Sequence, residues 1–213
     1  MANLAESYRP KCWSDIVGQD KAVFRIKALQ ERAGLAGRAF FLSGQSGTGK
    51  TSIGRLIASE VASEWDVEEL DAGALSVSSL KDIERGLSFK GMNGTGRAVI
   101  VNEAHGLRKD VIRQLLVSLE RIPAHVVWIF TSTTEGTDSL FEDCDDASPL
   151  LSRCLRFDLS RRDLARPFAE RAKAIAEKEG LDGQPIERYV KLLQSCRNNL
   201  RAALQAIEAG DMA

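Results

Sequence analysis

A glycine-rich octapeptide, GQSGTGKT at residues 44–51, restricts what this chain can fold into more than any other feature of its sequence. It matches the pattern G-x-x-x-x-G-K-[ST], and the apolar run at residues 39–42 just before it predicts a buried strand. Glycines at 44, 47 and 49 permit a tight turn that points several backbone N–H groups at one anion, and the helix expected to begin near Lys50 adds the positive end of its dipole. The sequence therefore predicts a site for a nucleoside triphosphate.

The loop also predicts individual roles. Lys50 is expected to contact the β- and γ-phosphates, and the Thr51 hydroxyl is expected to bind Mg²⁺. A glycine-rich turn that only resembles such a site is the alternative, and the helix-forming run at residues 52–62 argues against it. The predicted nucleotide-binding residues of this region are Gly44, Gln45, Ser46, Gly47, Thr48, Gly49, Lys50, Thr51 and Ser52.

Composition excludes several classes of protein. The chain has 213 residues, enough to bury a core, and its net charge of −1 provides no overall basic field for nucleic acid, so such contact would need a local patch or assembled subunits. No segment resembles a signal peptide or a membrane span, so we expect a soluble cytoplasmic protein. The cysteines at 12, 144, 154 and 196 form no C-x-x-C pair, which argues against zinc and against a disulfide framework.

Apolar runs and amphipathic segments alternate along the first three quarters of the chain. This alternation predicts a parallel sheet covered by helices on both faces. Beyond residue 161 only helical patterns remain, at about 163–179, 185–195 and 198–209, so we predict an α/β domain at 1–160 and a small all-α domain at 161–213. The earlier predicted strands are 65–70, 98–101 and 126–131, and the predicted helices are 20–33, 79–87 and 109–121.

A second polar motif follows the strand predicted at 98–101. It reads Asn102-Glu103-Ala104-His105, where nucleotide-hydrolysing enzymes with a phosphate loop place Asp-Glu. Glu103 can orient and deprotonate an attacking water, whereas Asn102 can accept a hydrogen bond from metal-bound water but brings no negative charge. We therefore expect binding and weak hydrolysis, whether Asn102 is natural or engineered, and we assign His105 to the turn.

Four further segments occur in a fixed order. They are SYRPKCWSDIVGQD at 7–20, LERIPAHVVWIFTSTT at 119–134, PLLSRCLRF at 149–157 and NNLRAAL at 198–204. With the phosphate loop they resemble the AAA+ family, and within it the clamp-loader ATPases, the group of the DNA polymerase III gamma/tau subunit and the replication factor C small subunits. The resemblance covers nearly the whole chain and implies a P-loop NTPase fold of the AAA+ type followed by a helical lid.

The resemblance also implies site residues. Thr133 would hydrogen-bond near the γ-phosphate or the attacking water, Arg153 would act in trans as an arginine finger for a neighbouring subunit's nucleotide, and Arg201 would contact the γ-phosphate of the chain's own ATP. The segment at 7–20 would enclose the adenine base, through Tyr8, Arg9, Pro10, Val17 and Gly18. The implied cofactors are ATP and Mg²⁺, without zinc.

The chain departs from the clamp-loader pattern in three ways. The four-cysteine zinc module of the gamma type is absent, and the acidic segment at 135–147 is longer than the equivalent connection. We interpret that segment as a solvated insertion in preference to a binding element. The sequence also ends after the lid, without the helical collar that joins clamp-loader subunits, so we expect weaker assembly from a truncated or minimal relative.

The leading hypothesis is a clamp-loader-like ATPase that acts in DNA replication, with other AAA+ subunits, a sliding clamp and primer-template DNA as partners. Basic residues at 108, 109, 113 and 121 could face DNA or could form a solvated helix face. Two alternatives stay open. One is a recombination or fork-remodelling AAA+ motor, and the other is a hydrolysis-deficient, nucleotide-binding scaffold subunit in which Asn102 prevents turnover.

Overall fold

A computed structural model describes residues 3–133 and 147–212. Five parallel strands form one sheet in the order β2-β3-β4-β1-β5. The strands are β1 (Arg38–Gly44), β2 (Ala62–Asp71), β3 (Gly96–Asn102), β4 (Val126–Ser132) and β5 (Leu155–Leu159). The helices are α1 (Leu4–Ser7), α2 (Asp20–Ala33), α3 (Lys50–Ser59), α4 (Val77–Leu87), α5 (Lys109–Glu120), α6 (Ala147–Ser152), α7 (Ala165–Glu179), α8 (Ile186–Ser195) and α9 (Leu200–Glu208).

The central strands are buried on both faces because helices cover both sides of the sheet. Phe41 and Trp128 pack towards α4 and α5, while their neighbours Phe40 and Ile129 pack towards α2 and α3. Successive side chains of a strand point to opposite faces, so an unbroken apolar run supplies both cores at once. The predicted parallel α/β sheet is confirmed.

The parallel register places the carboxyl ends of four strands at one edge of the sheet. Ser43 of β1 pairs with Ser132 of β4, and Asp71 of β2 pairs with Asn102 of β3. In open α/β sheets this edge is where ligands bind. The phosphate loop and the Asn102-Glu103 motif therefore both emerge at this edge.

Two predictions of local structure were incomplete. The helix after the phosphate loop begins at Lys50, as expected, but α3 ends at Ser59 and not at residue 62, because Ala62 already belongs to β2. Strand β5 was not predicted, since only Phe157 and Leu159 of its five residues are buried and its remaining positions are exposed. A strand this short at the edge of a sheet gives too little alternation to recognise.

The C-terminal helices form a core of their own. Phe168, Tyr189 and Leu204 lie at its centre, and Leu4 of α1 packs against it, with its backbone N–H 3.4 Å from the Glu208 carboxylate. The N-terminal segment therefore reaches from the sheet to these helices. The helical C-terminal part is confirmed, while the boundary between domains 1–160 and 161–213 stays a prediction.

Within the described ranges, no helix is both long and apolar enough to cross a membrane. All but Ala147 of the acidic segment at 135–147 lies outside the described residues.

Candidate nucleotide-binding site

The phosphate loop connects the end of β1 to the start of α3. Gly47 and Gly49 have φ angles of +78° and +95°, which strain residues with a Cβ, and Gly49 directly precedes the first helical residue. Because the first N–H groups of a helix have no partner within it, the loop and the start of α3 present donors to the same space. This local structure is suited to an anion.

Lys50 lies folded over the loop that precedes it. Its side chain is almost fully buried, and its Nζ donates to the carbonyl oxygens of Gly44 and Gln45, at 2.7 and 3.1 Å. The Thr48 hydroxyl also donates to the Gln45 carbonyl, at 2.8 Å. Backbone oxygens of the loop therefore hold the buried ammonium group of Lys50 beside the space where a ligand of the loop would bind.

The loop approaches the C-terminal helices closely at Gly47. A Cβ at Gly47 would lie 2.1 Å from Oδ1 of Asn199, the residue that caps α9 by accepting from the Ala202 N–H. Only glycine leaves room for this approach. The position of α9 is therefore tied to the conformation of the loop.

A cavity that opens to solvent lies between the loop, the N-terminal segment and the C-terminal helices, and its empty space, open solvent included, is about 720 Å³. Apolar side chains of Ile16, Phe168, Ile175 and Leu204 contribute to its walls. The predicted residues that it brings together are Tyr8, Arg9, Pro10, Val17, Gly47, Thr48, Gly49, Ser52 and Arg201. Gly18 does not line the cavity but has a φ of +74° at the turn beside it, packed against Leu164.

Two arginines approach this cavity from the C-terminal helices. Arg201 of α9 is exposed, and Arg171 of α7 is half-buried. Among the described residues neither makes a hydrogen bond or an ion pair. Arg171 was not predicted from the sequence. Its spacing was the available signal, because it follows Phe168 by three residues and precedes Ile175 by four, which places all three on the helix face that lines the cavity.

The Asn102-Glu103 motif forms a tight turn at the end of β3. Asn102 Oδ1 accepts from the Thr131 hydroxyl at 3.0 Å, and the Glu103 N–H lies 3.4 Å from the same hydroxyl. Glu103 has a φ of +53°, and its side chain is 47% exposed. The carboxylate therefore projects, about half-exposed, from the carboxyl edge of the sheet on a strained, hydrogen-bonded backbone.

His105 belongs to the turn, in a short 3₁₀ segment at Ala104–Gly106. Its Nδ1 lies 3.3 Å from the Ser132 hydroxyl and 3.5 Å from the Glu103 carboxylate. Thr133 follows β4 at the same edge and is half-buried, with its carbonyl accepting from the Ser132 hydroxyl at 3.1 Å. Sequence reasoning singled out Thr133 and missed Thr131, whose position inside an apolar strand gave no functional signal.

Arg153 lies away from this cavity, just after α6. It forms an ion pair with Glu120 of α5 and donates to the Pro149 carbonyl at 2.9 Å. The hydrogen bond and charge of Arg153 lower the pKa of Glu120. Arg153 is not among the residues that line the cavity beside the chain's own phosphate loop.

The oxygen groups available to a cation are few. Thr51 is half-buried in the first turn of α3, and Asn102 presents its carbonyl oxygen at the end of β3. In the described ranges there is no cluster of three or more His, Cys, Asp or Glu residues that could hold a metal ion. This arrangement fits Mg²⁺, which keeps several waters and is held largely by phosphate oxygens.

Comparison with known proteins places these features in a family. A model described as the ATPase family associated with various cellular activities (AAA) matches residues 40–160. The DNA polymerase III subunit tau of Salmonella typhimurium is 28% identical over 236 aligned positions, which cover 98% of this chain and 35% of that protein. The replication factor C small subunit of Methanosphaera stadtmanae is 25% identical and is matched over 96% of this chain and 61% of its own length.

A solved structure shares the fold. The RuvB Holliday junction branch migration motor of Thermotoga maritima superposes with a TM-score of 0.71 at 21% identity, over 94% of this chain and 64% of RuvB. The chain thus spans less than two thirds of each of these three proteins.

Proposed function

Because the chain belongs to the AAA family of ATPases, we propose that it binds ATP and Mg²⁺ in the cavity beside the phosphate loop and works as a clamp-loader-like ATPase subunit. The observation that carries this proposal is the cavity itself. It joins the N-terminal segment, the phosphate loop and Arg201, which are far apart in the sequence.

ATP binding would replace internal contacts of the loop. Lys50 Nζ would exchange the Gly44 and Gln45 carbonyls for β- and γ-phosphate oxygens, and Arg201 would pair with the γ-phosphate from α9. Adenine would lie against the N-terminal segment and the apolar side chains of Ile175 and Leu204. The triphosphate would then hold the sheet and the C-terminal helices at one relative angle.

Hydrolysis would depend on the turn after β3. Mg²⁺, held by the Thr51 hydroxyl and through water by Asn102, would neutralise charge on the β- and γ-phosphates. Glu103 would orient the attacking water and accept its proton, with Thr133 near the γ-phosphate. Since Asn102 adds no negative charge, we expect slower turnover than with aspartate at this position.

Arg153 would serve a neighbouring subunit. It is absent from the lining of the chain's own cavity, and its partly exposed side chain is paired with Glu120 of α5. An arginine inserted from one subunit into the next site would make ATP turnover depend on assembly. The match to tau and replication factor C subunits supports AAA+ subunits, a sliding clamp and primer-template DNA as partners, in the cytoplasm.

The test is the mass of the intact chain by light scattering, with and without a non-hydrolysable ATP analogue and primed DNA. We expect the analogue to increase the mass of the wild-type protein, and primed DNA to increase it further. Lys50→Ala should stay at the mass seen without nucleotide. A wild-type mass that is the same under all conditions would remove both assembly and DNA engagement from the proposal.

Two observations favour other functions. The RuvB-like fold is compatible with a recombination or fork-remodelling motor, which branch-migration and strand-separation assays would reveal. Asn102 is compatible with a scaffold subunit that binds nucleotide without turnover. A large gain of turnover in Asn102→Asp would support the scaffold, and measurable turnover that does not change in this variant would exclude it.

A further inference from the structure

A continuous series of polar contacts crosses the surface of α3. It starts at the cavity wall in the N-terminal segment and ends at the turn that carries Glu103. In order, its members are Arg9, Glu6, Arg55, Glu69, Asn102 and Thr131.

The first contact lies at the cavity. Arg9 lines the cavity, its side chain is 19% exposed, and its Nη2 is 2.6 Å from Glu6 Oε2. The pKa of Glu6 is lowered, chiefly by the hydrogen bond from Arg9. A ligand that displaces or engages Arg9 therefore changes the charge environment of Glu6.

Arg55 joins two carboxylates that come from different parts of the chain. Its Nη1 is 3.5 Å from Glu6 Oε1, while its Nε and Nη2 lie 2.7 and 3.2 Å from the two oxygens of Glu69. Arg55 lies one helical turn after Thr51, on the same side of α3. A planar guanidinium can hold both carboxylates at once, which an ammonium group cannot do with the same geometry.

Glu69 fixes the orientation of the Asn102 amide. The carboxylate only accepts hydrogen bonds, so the amide nitrogen must face it, at 2.8 Å, and Oδ1 must face the Thr131 hydroxyl. The same hydroxyl lies 3.4 Å from the Glu103 N–H, beside the strained backbone of Glu103. The orientation of Asn102 and the position of Glu103 are therefore linked through Thr131.

We propose that Arg55 is a positioning residue. Through Glu6 and Glu69, it couples occupancy of the cavity wall at Arg9, where the base of the nucleotide would lie, to the conformation of the Asn102-Glu103 turn. This inference rests on the proposed binding of ATP in the cavity. A base at Arg9 shifts the Glu6 contact, Arg55 redistributes between its two carboxylates, and the turn is tightened around Glu103. A triphosphate without a base fills the loop and leaves the series unchanged.

Isolated surface ion pairs contribute little, so the coupling must be measured directly. The readout is amide hydrogen exchange in peptides covering residues 100–107, with saturating non-hydrolysable ATP analogue or with tripolyphosphate. In the wild-type protein we expect the analogue to slow exchange by about fivefold or more, the range of ordinary coupling between sites, and tripolyphosphate to slow it far less.

In Arg55→Met the analogue should still bind with nearly wild-type affinity. It should no longer slow amide exchange at residues 100–107 more than tripolyphosphate does. The matched control is Arg85→Met, which breaks an exposed ion pair to Asp82 on α4, outside the series, and should behave as wild type. If Arg55→Met does not fold, Glu69→Gln tests the same link, because its amide no longer fixes the orientation of Asn102.

Equal slowing in Arg55→Met and wild type would overturn the inference, as would equal slowing by tripolyphosphate and the analogue. Loss of analogue binding in folded Arg55→Met would also overturn it, since Arg55 would then act in binding itself. Failure of the wild-type protein to bind the analogue is a separate result, which removes the proposed function.

Discussion

Arg171 shows how a single residue can extend the site beyond the motifs. It enters the cavity from α7 between apolar neighbours, close to Tyr8 and Asp15. The pKa of Tyr8 is raised, chiefly by its hydrogen bond to Glu179, and the pKa of Asp15 is lowered, chiefly by the hydrogen bond from Cys12. The charge of Arg171 opposes the rise at Tyr8 and adds to the lowering at Asp15. Both of those residues belong to the N-terminal segment assigned to adenine. A guanidinium in this place is suited to stack on a purine or to donate to it.

We predict that Arg171→Ala weakens ATP binding about tenfold, since a charge-assisted hydrogen bond contributes about 1.5–3 kcal/mol. Isothermal titration calorimetry measures the affinity. Arg166→Ala removes an exposed arginine from the same helix, paired with Glu170, and should leave the affinity within about twofold. Equal affinities for Arg171→Ala and wild type would show that Arg171 does not contact the ligand.

At the residue scale, sequence patterns predict the loop better than its surroundings. The octapeptide is local, so its geometry follows from glycine spacing and the flanking strand and helix. Arg171, Glu69 and Thr131 were missed because each is an ordinary residue of a helix or strand until the fold places it beside the motif. The roles of Glu103, Thr133, Arg153 and Arg201 stay predictions.

At the scale of elements, the contact between the phosphate loop and α9 depends on Gly47. A Cβ there would lie 2.1 Å from Asn199, whereas a Cβ at Gly49 would meet no atom within 4 Å. Both positions have left-handed φ angles, so alanine strains the backbone at either one. Comparing the two variants therefore isolates the loop–helix contact.

Without nucleotide, we predict that Gly47→Ala lowers the free energy of unfolding by about 1–3 kcal/mol more than Gly49→Ala does, as expected for an overpacked site. Urea denaturation of both variants measures the difference. A difference near zero would mean that α9 moves away from the loop without cost.

A polar cluster among the C-terminal helices, formed by Asp182, Lys173 and Tyr189, should make the stability of the protein depend on pH. Asp182 accepts a hydrogen bond from Lys173 Nζ at 2.6 Å and one from the Tyr189 hydroxyl at 2.8 Å. Both hydrogen bonds lower the pKa of Asp182, and the one from Lys173 has the larger effect. A lowered folded pKa means that the stabilisation is fully present above the unfolded value, about 3.9, and is lost as the pH falls through the folded pKa.

We therefore predict that Asp182→Asn unfolds at a lower temperature than wild type at pH 7, and that the difference shrinks as the pH is lowered below about 4. Thermal unfolding at a series of pH values tests this. Glu187→Gln, an exposed change on α8, should show no such trend. A difference that stays constant down to the lowest pH at which the protein folds would contradict the assignment.

The strands and helices themselves were largely predictable, because long apolar runs and clear helical periodicity determine them. Strand β5 was not, since its pairing with β1 depends on residues more than a hundred positions apart. The end of α3 at Ser59 was also missed, because the helix-forming pattern continues to residue 62 although β2 already begins at Ala62. The ends of strands and helices depend on tertiary contacts, which cannot be read from a single sequence.

At the scale of the whole molecule, Arg153 does not line the cavity beside the phosphate loop. The proposal assigns them to two adjacent subunits, so one chain cannot complete its own site. Subunits that lack the arginine and subunits that lack the phosphate-loop lysine should complement each other. The long-range placement of the N-terminal segment against α9, which builds the cavity wall, could not be derived from local patterns.

We predict that Arg153→Ala and Lys50→Ala each lower steady-state ATP turnover by about 10²-fold or more, the first through loss of the arginine finger and the second through loss of nucleotide binding. Mixing the two variants should restore part of the activity, because an intact pocket meets an intact arginine. Turnover that stays at the level of the separate variants after mixing would contradict action in trans.

The central claim is that a triphosphate binds against Lys50, and the affinity of Lys50→Ala for ATP, measured by isothermal titration calorimetry, tests it most directly. The account predicts at least about tenfold weaker binding, from the loss of a buried charge-assisted contact, while Lys81→Ala on the exposed face of α4 binds as wild type. Equal affinities for Lys50→Ala and wild type would contradict it.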